Sequence, residues 1–185
     1  MTDLESRYKQ QTFPNGYGLV DGALKHAEYP EHFQIPPDVV KRHIGIGHFV
    51  ELRIDSSRFS VHEDDAEFCN CPSCQGEMHK PILCHQQPAS LVDIPPQSIP
   101  SRGWGEDFWV QIEERSEGYF RGVVDSPLVE TRLHERKHGD EIFFHADHIL
   151  AMHDIHREEL VLGMSAADLK ELAEWVGQLR RDAEE

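Results

Sequence analysis

All four cysteines of the chain lie within one short stretch, and their spacing suits a metal ion. Cys71 and Cys74 form a C-x-x-C turn, with Cys69 before it and Cys84 after it. Four thiolates around one ion provide the tetrahedral, sulfur-rich coordination that zinc favours. The sequence therefore predicts a zinc site at these four cysteines. A closed set of four sulfurs is more typical of structural than of catalytic zinc.

The same cysteines are compatible with other ligands and other chemistry. His62, His79 and His85 lie nearby and are possible substitute ligands. An iron–sulfur cluster would use the same thiolates. Disulfides are disfavoured because no apolar stretch near Met1 resembles a signal peptide, which predicts a reducing, cytoplasmic location. A thioredoxin-like redox motif is disfavoured because the cysteines lie among acidic and proline-rich segments rather than between a strand and a helix.

A second group of candidate ligands follows residue 130. Six of the 13 histidines crowd this region: His134, His138, His145, His148, His153 and His156. His145-x-x-His148 together with His153 has spacings compatible with a second metal site, although ordinary surface or core histidines give the same pattern. A metalloenzyme that uses the cysteine site or the His134–His156 cluster is therefore the alternative function. The chain has no Gly-rich phosphate loop and no nucleophile elbow, which favours a protein that is not an enzyme.

The charge balance is strongly acidic. The chain has 18 Lys and Arg against 34 Asp and Glu, a formal net charge of −16. Such a field repels nucleic acids and anionic membrane surfaces and attracts basic proteins, although it also simply favours solubility. No apolar run is long enough to span a bilayer. The composition therefore predicts a protein partner, favours a basic one, and excludes nucleic acid and membrane as partners.

Short helices are expected before and after the strands. Asp21 is the predicted N-cap of a helix that ends before Pro30, and Pro36-Pro37 opens a second one. Ser165 begins a capping box for a helix that should run to about Arg180. The apolar face of this last helix must pack against the barrel or a partner.

Four strands are predicted from alternating or β-rich segments: residues 48–54, 108–112, 119–124 and 141–144. The second and third form a hairpin through Glu117-Gly118. Residues 55–103 read as one long excursion that carries the cysteines. A loop of this length needs something to hold it, and a bound metal ion would do so.

Five short motifs follow one another along the chain. They are Pro30-x-x-Phe33-x-Ile35-Pro36, Gly47-x-Phe49-Val50-x-Leu52, Gly105-Glu106-x-Phe108-Trp109-Val110, Gly122 with Asp125-x-Pro127, and Gly139-Asp140-x-Ile142-x-Phe144 with His148-Ile149. Over residues 22–154 this order resembles a family of small uncharacterised bacterial proteins with an SH3-like β-domain. The family pattern is G-E-x-x-W-V, then G, N-x-P, G-D-x-V-x-F and H-I.

The resemblance implies a compact β-domain preceded by short helices. Asp125 stands where the family commonly has Asn, and the cysteine excursion is longer than the family's usual link. The metal site is therefore outside what the resemblance implies. Glu106 and Trp109 are candidates to line a pocket, but we expect Trp109 to be a core anchor and Glu106 to end a turn.

These observations predict an α+β fold: a small SH3-like β-barrel with short N-terminal helices, a zinc-knuckle insertion and a C-terminal helix. We expect a flexible arm over residues 1–20 and a barrel domain over residues 21–154, with the metal-binding insertion at 55–103. A helical segment should follow over residues 155–185. The expected function is a zinc-stabilised, acidic protein-binding module, of an accessory or immunity type.

Overall fold

A computed structural model of the chain describes residues 3–31, 33–56, 58–61, 90–93, 104–129 and 131–182. Within them the chain forms six α-helices: α1 (Asp3–Gln10), α2 (Gly22–Glu28), α3 (Asp38–His43), α4 (Thr131–His134), α5 (Arg157–Leu162) and α6 (Ala166–Asp182). It also forms eight strands: β1 (Tyr17–Leu19), β2 (Phe49–Ser56), β3 (Arg58–Val61), β4 (Ser90–Asp93), β5 (Trp104–Ser116), β6 (Tyr119–Val124), β7 (Glu141–His145) and β8 (Ala151–Met152). None of these helices is long and apolar enough to cross a membrane.

Six of the strands form one antiparallel sheet in the order β1-β2-β5-β6-β7, with β8 paired to β2. The sheet curls into a nearly closed barrel, so the predicted α+β class with a barrel-like sheet is confirmed. At the β5–β6 turn, Glu117 and Gly118 both have positive φ, 49° and 84°. A two-residue hairpin that follows the twist of the strands requires this conformation.

The barrel interior is filled by alternate residues of the strands. On β2, Val50, Leu52 and Ile54 are fully buried. Successive side chains of a strand point to opposite faces, so every second residue enters the core. The largest fully buried side chains are Phe108, Phe120, Phe144, Leu4, Ile44, Leu52, Ile54, Ile112, Ile142 and Ile149.

The N-terminal segment, expected to be a flexible arm, forms α1 and β1. Leu4 of α1 is 1% exposed, and β1 pairs with β2 from Tyr17↔Ser56 to Leu19↔Ile54. The side-chain amide of Gln11 also makes two hydrogen bonds to the outer edge of β7. Its Nε2 donates to Phe143 O (2.8 Å), and its Oε1 accepts from Phe143 N–H (2.9 Å). A polar segment can thus be ordered by one buried leucine and a few specific bonds, which a composition-based reading does not detect.

The predicted helices are present, and two short paired strands lie within the excursion of residues 55–103. Asp21 Oδ1 accepts from Leu24 N–H (2.8 Å) and caps α2, as expected. Within the excursion, β3 and β4 pair from Arg58↔Asp93 to Val61↔Ser90. This pairing places Val61 and Ser90 opposite each other.

Candidate functional site

An apolar groove of about 490 Å³ lies between α6 and the barrel. On the barrel side it is lined by Ile35, Pro36 and Met152, and by the side chains of α5 that face it. The sequence predicts an apolar face of α6 with Leu169, Leu172, Val176 and Leu179 on it and Trp175 beside them. All of these except Leu169, which is 40% exposed, line the other side of the groove. The volume is within the range of about 300–1,000 Å³ that is usual for ligand pockets.

The first turn of α6 is fixed by polar contacts. Ser165 Oγ donates to Asp168 Oδ2 (2.7 Å), and Asp168 N–H donates to Ser165 Oγ (3.2 Å), which confirms the predicted capping box. Arg42 Nη2 donates to Asp168 Oδ1 (3.2 Å) and to Glu171 Oε2 (2.6 Å), and His43 Nε2 lies 3.2 Å from Asp168 Oδ2. The Ser165 hydroxyl, followed by His43 and Arg42, lowers the pKa of Asp168 to about 2. These contacts join α6 to α3.

The rest of α6 has no such ties. Among the described residues, the hydrogen bonds and ion pairs of residues 172–182 stay within the helix, for example those of Gln178 with Asp182 and Arg181. No residue of α6 is fully buried. The helix is therefore attached at its start, while its C-terminal half covers the groove only partly.

The charges on the helices that line the groove are mainly acidic. Within the described residues, Arg157 is the single cationic side chain in the lining, and its Nη2 lies 2.6 Å from Asp154 Oδ1. Helices α5 and α6 carry six carboxylates against four cations, and among the exposed carboxylates Glu171 pairs with Arg42 and Glu174 with Lys170. The groove thus combines an apolar lining with a small excess of negative charge around it.

A cluster of two histidines and a glutamate joins α5 to the start of β2. His48 Nε2 and His156 Nδ1 lie 3.8 and 3.9 Å from Glu159 Oε2. The two imidazole rings stack with their centroids 4.6 Å apart and 24° between their planes. Among the described residues, this is the set of His, Cys, Asp and Glu side chains whose ligand atoms lie close enough to share one ion, all within 4.8 Å.

The chemistry of the cluster does not fit a bound metal ion. An imidazole binds a metal in its ring plane along a nitrogen lone pair, and two nearly parallel stacked rings do not direct their lone pairs to one point. In addition, Gly45 N–H donates to His48 Nδ1 (3.2 Å). The proton of the neutral His48 ring is then on Nε2, the atom that would have to bind the ion. The arrangement is instead that of two stacked rings beside one carboxylate. Burial, followed by His48, lowers the pKa of His156.

The fold does not bring together the three histidines whose spacing is compatible with a second metal site. His145 Nδ1 lies 2.9 Å from Asp147 Oδ2, and His148 bonds Tyr8. His153 packs edge-on against Trp109, with ring centroids 5.0 Å apart. None of the three belongs to the metal-sized cluster described above, so the alternative of ordinary core and surface histidines fits them. Chain folding, rather than sequence spacing, decides which histidines meet.

Glu106 is held inside the barrel wall by a buried histidine. His134 is fully buried, and its Nε2 lies 3.0 Å from Glu106 Oε1, while Glu106 Oε2 accepts from Val129 N–H (2.5 Å). Arg136 N–H donates to His134 Nδ1 (3.1 Å). Because Nδ1 accepts, the ring proton is on Nε2 and points at the carboxylate. Glu106 therefore fastens the segment after β6 to the sheet, and does not end a turn as expected.

Trp109 is not the core anchor that its motif suggests. It pairs with Glu51 and lies half-exposed on the outer face of β5, whereas Phe108 beside it is 1% exposed. Adjacent strand residues face opposite ways, so Phe108 and Trp109 cannot both enter the core. Glu106 has the same parity as Phe108, which explains why its carboxylate points inward.

A tyrosine–histidine pair fixes α1 to the barrel. Tyr8 Oη lies 2.8 Å from His148 Nε2, and His148 Nδ1 lies 3.0 Å from the Val20 carbonyl oxygen. The carbonyl can only accept, so Nδ1 donates to it and the Tyr8 hydroxyl donates to Nε2. Burial is the main cause that lowers the pKa of His148 and raises that of Tyr8. Both groups are therefore neutral at pH 7, and the contact is structural.

The predicted zinc ligands lie outside the described residues. This applies to Cys69, Cys71, Cys74 and Cys84 and to the substitute ligands His62, His79 and His85. Helical periodicity indicates the apolar face of α6 but not the groove that this face lines. The missing signal was Ile35-Pro36, an apolar segment that lines the groove opposite this helix face.

Comparison of the chain with protein-family models, with curated proteins and with solved structures found no match.

Proposed function

We propose that this protein is an acidic protein-binding module, an accessory or immunity-type factor that binds another protein through the groove beside α6. The observation that carries the proposal is the half-covered apolar groove of about 490 Å³. Apolar surface that remains exposed in a folded chain commonly marks an interaction site. The net charge of −16 supports a basic partner, because opposite charges steer association.

The groove lining favours binding over catalysis. Acid–base or nucleophilic chemistry needs a titratable or nucleophilic side chain within reach of a substrate. Among the described residues, the ionisable group in the lining is Arg157, which is paired with Asp154. The remaining lining is nearly all apolar, which suits the burial of a partner's side chains.

We also propose that the barrel is SH3-like and that the protein holds a structural zinc ion. The barrel is of the SH3-like type that the family resemblance implies, and the curled sheet in the order β1-β2-β5-β6-β7 is consistent with this type. Cys69, Cys71, Cys74 and Cys84 hold a structural zinc ion that orders the excursion. The module works in the cytoplasm, where reduced thiols are available for zinc.

Site-specific photo-crosslinking in the producing cells tests the groove. A photoreactive residue at Val176, inside the groove, should crosslink to one basic protein, whereas the same residue at Gln111, exposed on β5, should not. The purified pair should then form a stoichiometric complex that Val176→Asp disrupts and Gln111→Asp leaves intact. Equal crosslinking from both positions, or a purified pair that does not associate, would rule out the groove as the binding site.

A further inference from the structure

We infer that the groove takes an amphipathic helix of the partner, with large apolar residues along one face and Lys or Arg along its flanks. This inference rests on the proposed function and specifies the partner for the same site. Three features support it: the spacing of the α6 side chains, the incomplete burial of α6 and the charges beside the groove.

The apolar side chains of α6 have the spacing of a helix–helix contact. Leu172, Val176 and Leu179 lie at positions i, i+4 and i+7 of one helix face, with Trp175 beside them. Such rows form ridges that pack into the grooves on the surface of a second helix, with the helix axes about 8–10 Å apart. Helix-in-groove recognition uses anchors with the same repeat. A helical partner therefore matches the long dimension of this surface.

The barrel side of the groove is rigid, whereas the α6 side can adjust. Proline fixes the backbone at Pro36 and Pro37, and Met152 belongs to β8, which pairs with β2. Polar contacts hold α6 at Asp168 and Glu171, and the described residues beyond them have no polar tie to the barrel. Admission of a helix beside the C-terminal half of α6 therefore breaks apolar contacts but no polar tie of the described residues.

The charges beside the groove select the flanks of the ligand. The two helices that line the groove carry six carboxylates against four cations, and Glu174 pairs with Lys170 as Arg157 does with Asp154. An incoming helix with Lys or Arg beside its apolar face meets opposite charges, and one with Glu meets like charges. The net charge of −16 acts in the same direction at longer range.

Synthetic peptides test the inference on the full-length chain. The probe is an amphipathic peptide of leucine and lysine with leucine at i, i+3, i+4 and i+7. One control peptide has glutamate in place of lysine, and a second has the probe's composition in an order that forms no apolar face. Fluorescence anisotropy should show saturable binding of the probe, weaker binding at high salt, and little binding of either control. Equal binding of the shuffled peptide would overturn the inference.

Variants of the protein locate the binding surface. Trp175→Ala should weaken binding of the probe by about tenfold or more, as expected for a buried aromatic anchor. Leu169→Ala is the matched control, because Leu169 belongs to the same helix, is 40% exposed and does not line the groove. Equal weakening by both changes would overturn the inference, and circular dichroism of each variant distinguishes lost binding from lost folding.

The outcomes separate this inference from the proposed function. If the crosslinked partner binds through an extended or acidic segment, the groove is still a protein-binding site but the helical ligand is wrong. If sedimentation shows that the chain alone forms a dimer that Val176→Asp dissociates, the occupant is a second copy and the inference is overturned. If neither the probe nor any partner binds in the groove, both the proposed function and the helical ligand are wrong.

Discussion

Replacing Glu106 tests whether the buried glutamate–histidine pair holds the barrel wall together. Glu106→Leu removes the carboxylate and leaves His134 Nε2–H, in a side chain with no exposed surface, without its acceptor. An unsatisfied buried donor costs about 1–3 kcal/mol. We therefore expect the free energy of unfolding to fall by about this amount. For a chain of this size, each kcal/mol corresponds to a decrease in melting temperature of about 2–4 °C.

Three further variants make the expectation specific. Glu106→Gln keeps an acceptor for His134 and should cost less than Glu106→Leu. The double variant Glu106→Leu/His134→Phe should lose less stability than the sum of Glu106→Leu and His134→Phe, because each single change leaves a buried polar partner unsatisfied and the double change removes both partners. Val129 N–H and Arg136 N–H each lose their acceptor in one single variant and again in the double variant, so these two losses do not affect the comparison.

Urea and thermal denaturation measure these differences. The matched control is Glu113→Leu on the same strand. Glu113 is 43% exposed and pairs with Arg121 at the surface, and such a pair contributes at most about 1 kcal/mol. If Glu106→Leu costs no more than Glu113→Leu, or if the losses of Glu106→Leu and His134→Phe simply add in the double variant, the pair does not have the role assigned to it.

Three other predictions concern acid, the last helix and the metal. Burial lowers the pKa of His148 and His156 below the ordinary value of 6.5, so the unfolded chain binds more protons below that pH. We expect the free energy of unfolding, measured with urea, to fall as the pH drops below 6.5; a pH-independent value would contradict this. Truncation after Gly163 removes α6 and should promote self-association, measured by light scattering; a monomer as stable as the full chain would argue against a docked helix. Cys71→Ser or Cys74→Ser should abolish zinc binding, measured by elemental analysis, and speed proteolysis within residues 60–100 while the barrel stays folded. A chelator-treated protein that is cut no faster there would argue against structural zinc.

Periodicity and caps allowed much of the barrel to be predicted. Val50, Leu52 and Ile54 alternate and are fully buried in β2, and Ser165 caps α6 as its motif indicates. Both signals are local, because they depend on residues a few positions apart. Where structure follows from nearby residues, the sequence alone was sufficient.

The pairings between distant residues were not predictable in the same way. His48 and His156 stack although 108 positions separate them, and the 28 positions between Glu106 and His134 contain a complete hairpin strand. The motif that contains Trp109 indicates an important strand, but strand parity, which assigns Phe108 and not Trp109 to the core, depends on the register with β2. The groove likewise needs α6 and residues 35–37 to be placed together.

The side chain of Gln11 has a consequence for association between copies of the chain. Among the described strands, β7 pairs with β6 alone, and the Gln11 amide takes up the donor and the acceptor of Phe143 on the free edge. One carboxamide thus does what a neighbouring strand would do, and it blocks the position at which a foreign strand would begin to add. Helix α1 covers the same strand, since the Arg7 guanidinium lies 4.5 Å from the centre of the Phe143 ring and 3.9 Å from Glu141 Oε2. The protection of this edge against the addition of a foreign strand therefore comes from the segment before β1, far in the sequence from the strand that it protects.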